Sequence, residues 1–231
     1  MLYHLLFPLH TEIGLLNVVQ YITFRTAAAS LTAFVVSLAF GPAVIKWLRA
    51  LQIKQVVRDD GPATHSTKAG TPTMGGLLLL GAALIPTLLW ADLTNEYVWL
   101  AVLSTVGFGA IGFVDDYLKI ARETPQGLSA RMKLLAQGVV GLAVGLALIE
   151  LAQNNLYNTD LIFPFFKEFT PDIGWLYVPF AMLVLVMASN AVNLTDGLDG
   201  LAISVFTVAA GAFTALTYVS GHAVIAEFLL I

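Results

Sequence analysis

The chain has 231 residues, 58% of them hydrophobic and only 11% charged, with a mean hydropathy of +0.83. A soluble domain carries about 25% charged residues, so this composition argues against a fold that faces water all round and names lipid as the solvent for most of the chain. Cysteine is absent, which excludes disulfides, thiolate nucleophiles and cysteine-held zinc, and the net charge of -4 says little until the basic residues are placed.

The first thirty residues lack a basic stretch followed by a short apolar core and a small-residue cleavage site, so no removable signal peptide is expected. A bilayer core of about 30 Å needs roughly 20 mostly apolar helical residues to cross it. Six segments meet that requirement, near residues 21–47, 73–91, 96–114, 133–152, 175–193 and 200–219. Leu77 to Leu80 and Val139 to Ile149 are apolar on every side, which fits helices and not the alternation of a transmembrane barrel. After Gly221 and His222 the sequence turns apolar again at Val224-Ile225-Ala226 and from Phe228 to Ile231, then stops without a polar flank. The expected fold is all-α: a polytopic membrane helix bundle of about six spans in a single transmembrane domain, incomplete at its C-terminus. No fixed-period repeat occurs, which argues against a solenoid.

Nine of the eleven basic residues fall on one side of this alternation. Lys46, Arg49, Lys54, Arg58 and Lys68 surround the first connection, and Lys119, Arg122, Arg131 and Lys133 the third; Arg25 and Lys167 are the exceptions. Basic residues in short connections mark the cytoplasmic face, so the N-terminus is expected outside and connections 48–72, 115–132 and 193–199 inside. The three stretches richest in unusual polar residues then share one membrane face.

Asp115 and Asp116 follow directly on the apolar run Val106 to Val114. Adjacent carboxylates at a helix C-terminus repel each other and are opposed by the helix dipole. They are either solvated end charges or part of a site where Lys119, Arg122, Lys133 or a divalent cation offsets them, and one could act as a general base. In Asn190-Ala-Val-Asn193-Leu-Thr-Asp196-Gly-Leu-Asp199-Gly-Leu201 polar groups recur every third residue, one stripe if the segment is helical. A turn capped by Thr195 or Asp196 is the plainer alternative, but it explains neither Asn190 nor Asn193. The connection from Val56 to Gly76 is long for a link between helices, and it offers cations and hydroxyls suited to phosphate at Arg58, Thr64, Ser66, Thr67, Lys68 and Thr73. His65 alone reads as a hydrogen-bonding loop residue, and Gly75-Gly76 as a site of close helix packing.

Four motifs in order, Gly70-Thr-Pro-Thr-Met-Gly-Gly76, Phe113-Val-Asp-Asp-Tyr117, Pro164-Phe-Phe-Lys167 and Asn190 to Leu201, together resemble the phospho-N-acetylmuramoyl-pentapeptide transferase family over essentially the whole chain. That family belongs to a superfamily transferring N-acetylhexosamine 1-phosphates to polyprenyl phosphates. The resemblance implies an enzyme of the bacterial inner membrane that moves phospho-N-acetylmuramoyl-pentapeptide from UDP to undecaprenyl phosphate, with Mg2+, to give lipid I and UMP. It implies Asp115 as the activator of the lipid phosphate and Asp116 as its companion through the metal. It places Lys68, Thr73, Asn193, Asp196 and Asp199 around the nucleotide diphosphate, with Asn193 also a metal contact. The implied partners are UDP-N-acetylmuramoyl-pentapeptide, undecaprenyl phosphate, the bilayer and a second copy in a homodimer, and no nucleic acid. Family members are longer, with about ten spans, a third catalytic aspartate and a histidine-rich segment, neither of which lies in these 231 residues. Another polyprenyl-phosphate sugar-1-phosphate transferase is the nearest alternative, and a membrane transporter a more distant one.

Overall fold

The computed structural model describes residues 1–50, 74–122, 124, 126–163, 166, 169–196 and 200–221. Its regular elements are helical apart from one isolated antiparallel bridge between Asp160 and Asp172. A short helix α1 (Leu2–Leu6) and two 3-10 turns, Phe7–Thr11 and Gly14–Gln20, lead into α2 (Ile22–Ala50). There follow α3 (Gly76–Trp90), α4 (Glu96–Ala121), α5 (Ala130–Gln153), α6 (Tyr177–Thr195) and α7 (Leu201–Ser220). All six apolar segments expected from the sequence are helices; the three turns before Ile22 were not foreseen. Five are long and apolar enough to cross a membrane, and α3, with 15 residues, is shorter. Its start contributes to the difference: Met74 has φ +68° and Gly75 is the N-cap, so the helix begins at Gly76.

The chain forms two units, Met1–Leu183 and Val184–Ile231. In the first, neighbouring helices run up and down. Trp90 at the end of α3 donates its indole N–H to Thr32 near the start of α2 (3.1 Å), while a Cβ at Gly41, later in α2, would contact Leu78 near the start of α3. In the same way α3 meets α4 at Leu80 and Gly109, and α4 meets α5 at Gly107 and Val140. The first half of α6 lies against α5 so closely that a Cβ at Gly145 would be 3.0 Å from the backbone Cα and O of Val178, and one at Gly141 3.1 Å from the Cα of Met182. Lipid gives apolar helices no solvent-driven reason to associate, so close backbone approach at small residues does that work. Glycines at 141 and 145 bring α5 and α6 together by this means. The outward surface is apolar: Leu31, Phe34, Val35 and Leu38 of α2 are 60–65% exposed, acceptable in hydrocarbon and costly in water.

This packing sorts the polar residues by end. At one end of the first unit lie Tyr97, Trp99, Tyr157 and Tyr177: Tyr97 donates to the carbonyl of Leu156, the Tyr157 and Tyr177 hydroxyls pair, and Trp99 donates to the Leu93 carbonyl at 2.9 Å. Arg25 also lies here, its guanidinium 4.2 Å from the centre of the Tyr3 ring. At the other end are Lys46 and Arg49 of α2, Lys119 and Arg122 of α4, and Arg131 and Lys133 of α5. Along α4 the separation of Tyr97 from Asp115 is roughly 27 Å at about 1.5 Å per residue, close to the hydrocarbon thickness. Aromatic rings with polar tips favour a membrane interface, and the basic residues gather at the opposite helix ends.

Two expectations follow. Gly145→Leu should force α5 and α6 apart and cost about 1–3 kcal/mol, the usual penalty of overpacking, read as a lower unfolding midpoint in detergent. In the α5–α6 connection, the Asp172 carboxylate accepts from the Thr159 hydroxyl and from the Gly174 N–H at 2.8 Å, and these bonds, Thr159 first, hold its pKa below the ordinary value. A depressed carboxyl stabilises the fold above its unfolded pKa and loses that contribution as pH falls through the folded one. The Gly174 amide resonance should therefore titrate below the ordinary aspartate range, and Asp172→Asn should remove the titration at every pH.

Candidate active site at the basic helix ends

Asn95 starts α4 by accepting a hydrogen bond from the Tyr97 N–H at 2.9 Å, with Glu96 in the positive first turn. The sequence suggested a span ending at Val114 with the acidic pair just beyond it. The helix instead continues to Ala121 and places Asp115 and Asp116 within its last two turns. The reason lies three residues before the C-cap Arg122. Lys119 reaches back to both acids, its ammonium 2.7 Å from Asp115 Oδ2 at i,i+4 spacing and 2.9 Å from Asp116 Oδ1 at i,i+3. Helical spacing brings the three together, and a cation in the last turn also complements the dipole.

The two carboxylates are not equivalent. Asp115 has 14% of its side chain exposed, and both of its oxygens are engaged: Oδ2 by Lys119 and Oδ1 by the backbone N–H of Leu128, at 2.8 Å. Lys133 on α5 adds a longer-range attraction. Asp116 is 34% exposed; Lys119 holds its Oδ1, and Oδ2 has no partner among the described residues. One acid is thus fixed in orientation and the other keeps an oxygen for a ligand. Lys119 and Lys133 were expected to offset the pair. The Leu128 amide was not, because a backbone donor from a connection thirteen residues on leaves no mark in side-chain composition.

In the second unit α6 runs through Thr195, so Asn190 and Asn193 share a helix as the three-residue spacing suggested, and Asp196 follows directly after its end. Asn193 and Asp196 are exposed. The Asn190 amide donates to the Val186 carbonyl at 2.8 Å and the Thr195 hydroxyl to Ala191, also at 2.8 Å. The residue that caps α7 is Gly200, in a left-handed conformation at φ +82°, not Thr195 or Asp196. Lys68, Thr73 and Asp199, with Arg58 and His65, lie outside the described residues. The close-packing role expected of Gly75 and Gly76 is not seen among the described residues: a Cβ at either would meet none of them within 4 Å. Among the described residues no three His, Cys, Asp or Glu gather as a metal cluster.

Residues 98–231 match the family model described as glycosyl transferase family 4, and residues 68–80 match the phospho-N-acetylmuramoyl-pentapeptide-transferase signature 1. The first match contains Asp115, Asp116, Asn193, Asp196 and Asp199; the second contains Lys68 and Thr73. A protein of Maridesulfovibrio salexigens named phospho-N-acetylmuramoyl-pentapeptide-transferase is 52% identical over 230 residues, covering 99% of this chain and 63% of its own length. Proteins of the same name from Pelobacter propionicus and Koribacter versatilis are each 50% identical over 99% of this chain, and the matches cover 63% and 64% of their lengths. The chain thus spans less than two thirds of these relatives. With the model match covering more than half of its residues, the chain belongs to glycosyl transferase family 4, alongside the phospho-N-acetylmuramoyl-pentapeptide-transferases.

Proposed function

We propose that the protein to which this chain belongs transfers phospho-N-acetylmuramoyl-pentapeptide from UDP to undecaprenyl phosphate, releasing UMP and forming lipid I at the cytoplasmic face of a bacterial inner membrane. The observation that carries this reading is the Lys119-bridged acidic pair at the basic helix ends, in a chain about half identical to transferases of that name. An acceptor with a long apolar tail must keep that tail in hydrocarbon and its phosphate at the interface, and a nucleotide sugar arrives from water. A site at helix ends is where the two can meet.

In the reaction a lipid phosphate oxygen attacks the sugar-bearing phosphorus of the diphosphate, the bond to the bridging oxygen breaks, and UMP leaves. Such transfers depend chiefly on positioning and charge neutralisation. Asp115 takes the proton of the lipid phosphate; two donors occupy only part of a carboxylate's capacity of about four lone-pair sites, so it can still accept. Lys119 keeps the neighbouring acids from repelling the anionic substrates. Lys68, Thr73, Asn193, Asp196 and Asp199 bind the nucleotide diphosphate on the same membrane face, a placement supported by the distribution of basic residues in the sequence.

Magnesium fits the donor set at Asp116: a hard oxygen with no protein partner among the described residues, at an exposed helix end. Mg2+ is usually held by one or two carboxylates together with substrate phosphates and waters, so a full protein cage is not required. Asp116 and Asn193 would hold the ion, which would neutralise diphosphate charge when bound. The family likeness also supports a homodimer.

The test is UMP release by the full-length protein in vesicles containing undecaprenyl phosphate. Turnover is expected with UDP-N-acetylmuramoyl-pentapeptide; turnover only with UDP-N-acetylglucosamine would assign a different sugar-1-phosphate transferase. Asp115→Asn should lower kcat by about 10²- to 10⁴-fold, the range for loss of a general base, in a protein that still unfolds cooperatively in detergent. A second measurement addresses the shared face. The chain has no cysteine, so spin labels at Asp116→Cys and Asp196→Cys can be placed singly in it. Their separation should fall below the thickness of the hydrocarbon core, about 30 Å; a longer distance would place the acids on opposite faces and remove the common site.

A further inference from the structure

After α4 ends, the chain returns so that Gly127 and Leu128, just before α5, lie against Asp115 in the last turns of the helix. Ser129 then caps α5, accepting from the Met132 N–H at 3.4 Å. Gly127 sits at the point of closest approach. A Cβ built there would lie 2.3 Å from Asp115 Oδ1, 2.6 Å from the Asp115 backbone oxygen and 2.8 Å from the Asp115 carboxyl carbon. Real Cβ atoms do not approach within 3 Å of such neighbours. A carboxylate could rotate out of the way, but the backbone oxygen belongs to the helix and cannot yield without moving its final turns.

The usual reason for a glycine in a connection does not apply. Among the described glycines only Gly174 and Gly200 have positive φ, so the torsions of Gly127 are open to alanine. What excludes a side chain is space, and the occupant of that space is Asp115. The next residue, Leu128, donates its N–H to the same Oδ1 at 2.8 Å. Any side chain at 127 would lift the connection from α4 and withdraw this donor.

We propose that Gly127 is a positioning residue for the acidic pair: its missing side chain lets the α4–α5 connection close onto Asp115, and the Leu128 amide then fixes one carboxylate oxygen while Lys119 fixes the other. The inference deepens the transferase reading and rests on Asp115 as the reacting carboxylate. With both oxygens held from the protein side, the lone pairs that remain point in one set of directions. The acid therefore need not be ordered anew at each turnover. A misplacement on the order of 1 Å at such a group can lower turnover by about 10²-fold without direct contact between the changed residue and substrate.

The test has two independent arms. In the first, amide exchange at Leu128 is measured in the wild-type protein, Gly127→Ala and Asp115→Ala. The Leu128 amide should be protected in the wild type and should exchange at least about tenfold faster in both variants, the response of an amide whose acceptor is lost. Unchanged exchange in Asp115→Ala, which leaves Gly127 intact, would overturn the latch even if Gly127→Ala failed to fold. In the second, full-length Gly127→Ala is assayed for UMP release. The kcat should fall by roughly tenfold to a hundredfold, while KM for the nucleotide substrate changes less than about threefold and the unfolding midpoint stays near that of the wild type. A kcat within twofold of wild type would overturn the positioning role. Equal loss in kcat and in the unfolding midpoint would mark Gly127 as merely structural and overturn it too. If the wild-type protein released no UMP from these substrates, the transferase reading would fail, and the exchange arm would still decide whether the latch exists.

Discussion

One lysine makes the rest of the site consistent. Two neighbouring carboxylates near a helix C-terminus, close to hydrocarbon, oppose the helix dipole and each other. Lys119 lies within 3 Å of both and turns two unfavourable charges into a paired group with a single net negative charge. With that pairing α4 continues past the acids to Ala121, and the connection that follows is long enough to fold back against the helix. Without the pairing, the cheapest response would be to end the helix early and send both acids into water.

The asymmetry within the pair follows from the same geometry. Lys119 takes the facing oxygen of each acid, but the returning backbone reaches only Asp115. One carboxylate becomes part of the protein's internal bonding and the other stays at the surface with an oxygen to spare. On the proposed transferase reading this division is useful: the held acid would accept a proton in a defined direction, and the free one would share a cation with the incoming phosphates.

The spans were legible because lipid permits few solutions: a long apolar run must be a helix, and basic residues must gather at one end. Glu96–Ala121 and Ala130–Gln153 followed from that rule, with ends shifted by one to seven residues where they moved. The extension of α4 beyond Val114 was legible only in part, since Lys119 stood in the sequence at the right spacing but the solvent preference of two aspartates argued the other way. The packing expected at Gly75 and Gly76 is not seen among the described residues, for a related reason. Glycine pairs suit close helix contacts, but the contacts in fact form at Gly107, Gly109, Gly141 and Gly145, and sequence alone does not say which face of a helix meets a neighbour. The bond from Leu128 was beyond reach because every residue except proline has the same backbone N–H. Only the path of the chain decides where it points.

The shortness of α3 has a consequence for the lipid around it. Fifteen helical residues span only about 22 Å at 1.5 Å per residue, several ångströms less than an ordinary hydrocarbon layer. A rigid, nearly all-apolar rod of that length leaves acyl chains beside it with nothing matching at its tips. The adjoining leaflets must dimple, or longer neighbours must shield the gap, and a dimple would carry phospholipid head groups below their usual depth.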